Sequence, residues 1–194
     1  MKKRKYLVYG LFLLLTPFLT GCGYNKMVSL DEAVKSQWAQ VENVYQRRAD
    51  LIPNLVNTVK GYADFEKSTL TQVIEARAKA TSVQIDANRL DPQSLQKFQA
   101  AQDQLSSALS RLMVVVERYP ELKANQNFLE LQAQLEGTEN RIAVERRKFN
   151  EVTQQYNTYI RKFPQLLFAK IFGFKEKGYF KAEEKAKEVP KVQF

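Results

Sequence analysis

The chain has 194 residues, 44% hydrophobic and 26% charged, which suits one folded domain and excludes a disordered chain. The chain has no histidine and one cysteine, so it cannot form a histidine-based triad, an intramolecular disulfide or a Cys/His metal site. None of its seven glycines lies in a phosphate-loop motif, which excludes a glycine-rich nucleotide loop. The net charge of +9 divides into +4 in residues 1–21 and +5 in residues 161–194, and the neutral body between them argues against nucleic-acid binding.

The first 21 residues have the pattern of a bacterial export signal. Residues 2–5 are all basic, and residues 6–21 form an uncharged run of 16 residues. This run is shorter than the roughly 20 apolar residues that a membrane-spanning helix needs, and it is typical of a signal peptide. It ends in Leu19-Thr20-Gly21-Cys22, which resembles a lipobox.

The lipobox resemblance implies cleavage between Gly21 and Cys22 and acylation of the Cys22 sulfur. Residues 22–28 would then be a lipid-anchored linker, and the membrane would be a partner of the protein. The alternative is an uncleaved membrane anchor in which the cysteine is incidental. Gly23, where some lipoproteins have Asp, suits the outer membrane if the cell has two membranes; otherwise we expect the outer face of the cytoplasmic membrane.

The body of the chain shows helical periodicity. Ser29-Leu-Asp-Glu32 has the pattern of a capping box, and apolar residues then recur at three- and four-residue spacing, which predicts a first helix from Ser29 to about Thr81. Pro53 lies inside this stripe, and because the stripe keeps its phase we expect a kink there rather than a break. A helix of this length would overhang the others, bend or meet a partner.

Two further helices are predicted. Asp91-Pro92 is a strong helix start, and the apolar stripe after it ends at Pro120. A third stripe runs from near Asn127 to Pro164. We therefore expect an all-α, elongated antiparallel bundle of three long helices over residues 29–174, ending in a short helical segment.

The C-terminal part divides into an apolar stretch and a charged one. Residues 165–174 are strongly apolar, and they would either cover an open end of the bundle or bind a membrane surface or partner. Residues 175–194 are rich in charge, and we expect them to be a mobile tail.

One cluster of residues stands out as a candidate interaction patch: Tyr45, Arg47, Arg48, Asp50 and Asn54. Arg48 falls on the apolar stripe of the first helix, and Glu145 falls on that of the third. One interpretation is structural and pairs Arg48 with Glu145 inside the bundle. The other is functional and assigns the patch to the binding of a ligand or partner.

Several ordered motifs together resemble the LemA family. They include Tyr-Gln-Arg-Arg-Ala-Asp-Leu-Ile-Pro-Asn at 45–54, Arg-Tyr-Pro-Glu-Leu-Lys at 118–123, Leu-Glu-Gly-Thr-Glu-Asn-Arg-Ile-Ala at 135–143, and shorter elements at 23–28, 38–43, 58–63, 149–157, 163–164, 173–174 and 179–180. The resemblance implies a membrane-attached, extended antiparallel helical bundle of unsettled biochemical function. It brings no catalytic residues.

The function expected from these features is that of a lipid-anchored envelope scaffold that binds other envelope components. We expect no catalytic residues, no metal and no cofactor. A carrier of lipid or another apolar ligand along the bundle seam is one alternative. An envelope enzyme that uses carboxylate, lysine or tyrosine side chains is the other.

Overall fold

The computed structural model describes residues 2–62 and 66–181, with side chains from residue 23 onward. The described residues form six helices and no strand, which confirms the all-α prediction. The helices are α1 (Lys2–Lys60), α2 (Lys67–Ser82), α3 (Pro92–Val116), α4 (Pro120–Lys123), α5 (Gln126–Arg161) and α6 (Gln165–Phe172).

Four of the helices, α1, α2, α3 and α5, alternate in direction. Hydrogen bonds from Arg77 to Ala49 and from Gln102 to Ala80 place α2 antiparallel to α1 and α3. The α1–α5 pair is also antiparallel. Gln37 on α1 is hydrogen-bonded to Glu145 in the second half of α5, whereas Tyr62, just after α1, is hydrogen-bonded to Asn125, just before α5. The bundle is therefore up-down-up-down.

The predicted end of the first helix is wrong, and the count of three long helices is not confirmed, because α2 is a separate helix. The helix ends at Lys60 instead of Thr81, and the chain reverses into α2. A helix continued to Thr81 would carry Leu70 and Val73 past the end of the bundle, whereas the reversal buries both in the core. The overhang, bend or partner contact expected for the C-terminal part of that helix is therefore replaced by a reversal into α2.

Helix α1 itself is longer at its N-terminal side than predicted. It passes through Ser29 and Pro53 without a break, so the expected continuity at Pro53 is confirmed and the expected kink there stays a prediction, whereas Ser29 is not a helix cap. Residues 22–28, expected to be a linker, are helical, and Met27 among them is fully buried. Because Met27 is buried in the core, a helix that continues through residues 22–28 is favoured over one that starts at Ser29.

The core has two apolar halves. The proximal half, near residue 23, contains Trp38 and Phe149, and the distal half contains Leu55 and Leu112. In the distal half α2 is the fourth helix. In the proximal half the short helix α6 contributes Ala169 to the core, and residues 174–181, the C-terminal strap, cover the remaining side.

Amide side chains hold the strap. Asn157 donates to the Lys177 carbonyl oxygen (2.8 Å) and accepts from the Lys177 amide (2.9 Å). Asn150 pairs in the same way with Phe180, and Gln99 with Lys181. The prediction of a mobile tail from residue 175 is therefore wrong for residues 175–181, and residues 182–194 lie outside the described residues.

Two glycines allow the strap to take this course. Gly173 has a φ of 78°, in the left-handed region, and ends α6 so that the chain turns back along the bundle. Gly178 lies so close to the start of α3 that a Cβ there would come within 2.8 Å of Pro92 Cα. Its amide donates to the Leu90 carbonyl oxygen at 2.8 Å.

Candidate functional site

The candidate patch at residues 45–54 divides between the core and the surface. Tyr45 and Arg48 are buried, whereas Arg47, Asp50 and Asn54 are exposed. The two groups point away from each other, as residues on opposite faces of one helix must. The five residues therefore do not form one continuous interaction surface.

Arg48 is the centre of a polar cluster between the two apolar halves. Its guanidinium group donates to the side chains of Glu139 (2.6 Å), Ser106 (2.7 Å) and Gln102 (2.6 Å). It also lies over the ring of Tyr45, 5.1 Å from the centroid. One arginine thereby joins α1 to α3 and α5 at a single level of the bundle, which fixes the axial alignment of these helices.

The predicted pairing of Arg48 with Glu145 is wrong. Glu145 accepts hydrogen bonds from Lys148 (2.9 Å) and Gln37 (2.6 Å), and these bonds lower the pKa of its carboxyl group. The acidic partner is Glu139, six residues earlier on α5. The axial offset between the antiparallel helices α1 and α5 places Glu139 at the level of Arg48 and Glu145 at the level of Gln37.

An open groove of about 760 Å³ lies in the proximal half, between α1, the start of α3 and the strap. Within it, Asp31 forms ion pairs with Lys177 and Lys35, each at 2.8 Å. Lys177 is 8% exposed and also lies over the ring of Tyr156. The groove therefore contains a largely buried ion pair that connects the strap to α1.

Three carboxyl groups of the groove, those of Asp31, Asp86 and Asp91, have a lowered pKa. Burial raises the pKa of Asp31, but hydrogen bonds and charge from Lys177 and Lys35 outweigh it, so that the pKa lies below its usual value. Hydrogen bonds lower the pKa of Asp86 (from Asn88) and of Asp91 (from Ser94). A general acid needs a raised pKa, and these three carboxylates have the opposite shift.

The Asp31–Lys177 pair predicts a specific pH dependence of stability. Because the folded-state pKa of Asp31 is lowered, its contribution is full above the unfolded pKa of about 3.9 and is lost as the pH falls through the folded value. We expect Asp31→Asn to lower the free energy of unfolding by about 2 kcal/mol at pH 7 and by a smaller amount at pH 3, which is below the unfolded pKa. Urea denaturation at both pH values measures the difference.

Glu32→Gln is the matched control for Asp31→Asn. Glu32 also binds Lys35, but its side chain is 64% exposed, so its removal should change stability little at either pH. An Asp31→Asn effect that is equally large at pH 3 and pH 7 would contradict the assigned role of the ion pair.

The proximal end of the bundle combines the predicted anchor with an exposed apolar helix. Tyr24, two residues after Cys22, packs its ring against Phe172 (4.9 Å between centroids) and Phe174 (6.0 Å). Helix α6 buries only Ala169 completely, while Phe168 and Phe174 pack partly against the proximal core. Within the described residues, no helix is both long and apolar enough to span a bilayer.

Sequence reasoning missed the amide residues that hold the strap. Asn150 and Asn157 are seven residues apart on α5, which places them on one face of the helix. Two asparagines at this spacing beside an apolar stripe could have indicated that an extended segment binds along this side of α5.

The chain matches the LemA family over residues 37–194. It is 28% identical over 188 residues to the magnetosome protein MamQ 2 of Paramagnetospirillum magneticum, covering 86% of this chain and 67% of that protein. It is also 28% identical over 178 residues to the magnetosome protein MamQ of Magnetospirillum gryphiswaldense (81% and 64%), and 22% identical over 160 residues to the protein LemA of Metamycoplasma hominis (82% and 69%). With the family match extending over most of an all-α bundle, the chain belongs to the LemA family.

Proposed function

We propose that this protein is a non-enzymatic, lipid-anchored scaffold of the bacterial cell envelope that binds other envelope components. The observation that carries the proposal is the continuity of α1. The helix that contains Cys22 also contributes buried residues to both halves of the core, up to Val59. A lipid on Cys22 would therefore hold the bundle through a rigid helix.

The length of α1 supports a scaffold of this kind. From residue 23 to Lys60 the helix rises about 57 Å at 1.5 Å per residue. Acyl chains contribute about 0.8 kcal/mol per buried CH₂ group, so several chains on one cysteine give stable attachment. The distal half would then be displayed away from the membrane, on its outer-leaflet side or in the periplasm if the cell has two membranes.

The described core and groove favour this scaffold over the two alternative functions. A carrier of apolar ligands needs space along the seam, and there the side chains within each apolar half pack against one another. An enzyme that uses carboxylate chemistry in the groove needs a carboxyl group there with a raised pKa, whereas the pKa values of Asp31, Asp86 and Asp91 are lowered.

Photo-crosslinking in intact cells tests the scaffold proposal. A photoreactive amino acid is placed at three exposed apolar positions of the distal half, Ile74, Val114 or Leu129, and the adducts are identified by mass spectrometry. We expect the same envelope protein in replicate experiments, and loss of its adduct when Cys22→Ser is introduced. Absence of any reproducible envelope adduct from all three positions contradicts a scaffold role.

A further inference from the structure

Helix α6 leaves an apolar face in solvent. The side chains of Phe163, Leu167 and Ile171 are 81%, 53% and 74% exposed. Their four-residue spacing places Leu167 and Ile171 on one side of α6, and Phe163 precedes that helix by two residues. We call Phe163, Leu167 and Ile171 the α6 face.

The α6 face lies at the end of the bundle where the anchor is proposed. Phe172, at the C-terminal end of α6, contacts Tyr24 on α1. Tyr24 follows Cys22 by two residues in a continuous helix, a rise of about 3 Å. A membrane that holds Cys22 by its acyl chains is consequently adjacent to α6, and a tethered surface binds at high effective concentration.

Basic side chains surround the α6 face. Exposed Arg161, Lys162, Lys170 and Lys175 lie in or beside α6, and the acidic residue within 161–176 is Glu176, which pairs with Arg161 at 3.6 Å. Apolar side chains bordered by lysine and arginine are typical of helices that lie in the interface of an anionic bilayer. This charge complements a lipid surface that contains phosphatidylglycerol.

We propose that the α6 face inserts into the interface of the same bilayer that holds the Cys22 acyl chains, with the surrounding cations on anionic headgroups. This inference rests on the proposed lipid anchoring and extends it. Two attachment points on one end of the bundle restrict its tilt, whereas a single lipidated residue would leave the bundle free to pivot.

Fluorescent labelling of the full chain tests the inference. Ile171→Cys and, as a control, Val114→Cys are labelled with a polarity-sensitive probe, purified from cells and reconstituted into vesicles of phosphatidylethanolamine and phosphatidylglycerol. The two positions are matched in exposure, 74% and 71%, but Val114 is in the distal half. The chain without an added cysteine reports any labelling of Cys22.

The inference predicts that the probe at residue 171 shifts to the blue and is quenched by nitroxide-bearing lipids several-fold more than the probe at residue 114. Flotation of the vesicles is measured on the same samples. If the protein floats while the two probes are quenched equally, the inference is overturned and the anchoring stands. A probe at residue 171 that is shielded but not quenched by the lipids indicates a protein partner or a second copy, and it also overturns the inference. Protein that does not float overturns the anchoring and the inference together.

Discussion

Replacing Phe180 by alanine is expected to lower the free energy of unfolding by about 3–5 kcal/mol, the usual range for deleting a buried phenylalanine side chain. Phe180 is 5% exposed, and its ring lies 5.4 Å from that of Phe149 and 6.1 Å from that of Trp38 between centroids. Removing the ring opens a cavity in the proximal half, where the strap covers one side of the core. Urea or thermal denaturation of the purified chain measures the effect.

The protein contains its own reporter for this substitution. Trp38 is the one tryptophan of the chain, and it stacks on Phe180 with an interplanar angle of 18°. If the strap loosens, we expect the Trp38 emission of the folded variant to shift to the red.

Tyr179→Ala is the matched control, because Tyr179 is the preceding strap residue and is 44% exposed. It should change stability by less than about 0.5 kcal/mol. Equal effects of Tyr179→Ala and Phe180→Ala would contradict the assignment of the strap to the core.

Glu139→Gln is expected to destabilise the bundle by about 2–3 kcal/mol although the Glu139 side chain is 42% exposed. Its partner Arg48 is 1% exposed, so loss of the carboxylate leaves a buried cation with only neutral acceptors at Ser106 and Gln102. Replacing the arginine instead removes the buried charge, and Arg48→Met should therefore cost less than Glu139→Gln.

A double-mutant cycle isolates this interaction. In the Arg48→Met background, Glu139→Gln should cost close to nothing, because no buried cation is left to neutralise. Glu145→Gln serves as the control, since Glu145 is bound by Gln37 and Lys148 and should show no coupling to Arg48. If the cost of Glu139→Gln is the same with and without Arg48, the polar cluster does not have the role described.

The apolar stripes predicted most of the fold. Val34, Trp38 and Val41 on α1 are fully buried, as the three- and four-residue spacing indicates. Periodicity did not reveal the reversal after Lys60, because the stripe keeps its phase through Glu66 and Thr69 into α2. A stripe shows which side of a helix is apolar; whether the chain continues or turns depends on what is available to cover that side.

The polar contacts were harder to predict, for two physical reasons. The prediction that Arg48 lies inside the bundle is confirmed, but its partner depends on the axial offset between α1 and α5. An offset that differs by six residues changes the partner from Glu145 to Glu139. The strap lacks helical periodicity, and its attachment uses its own backbone groups. Backbone hydrogen bonds to Asn and Gln side chains leave no pattern in the strap sequence.

The anchoring at Cys22 is the central claim of the proposed function, and metabolic labelling with a fatty-acid analogue tests it most directly. The wild-type chain and Cys22→Ser are expressed in parallel and compared by label and by mass. We predict that the wild-type protein incorporates the label and lacks residues 1–21, whereas Cys22→Ser stays unlabelled and retains them. Equal labelling and processing of the two proteins would contradict the lipid anchor.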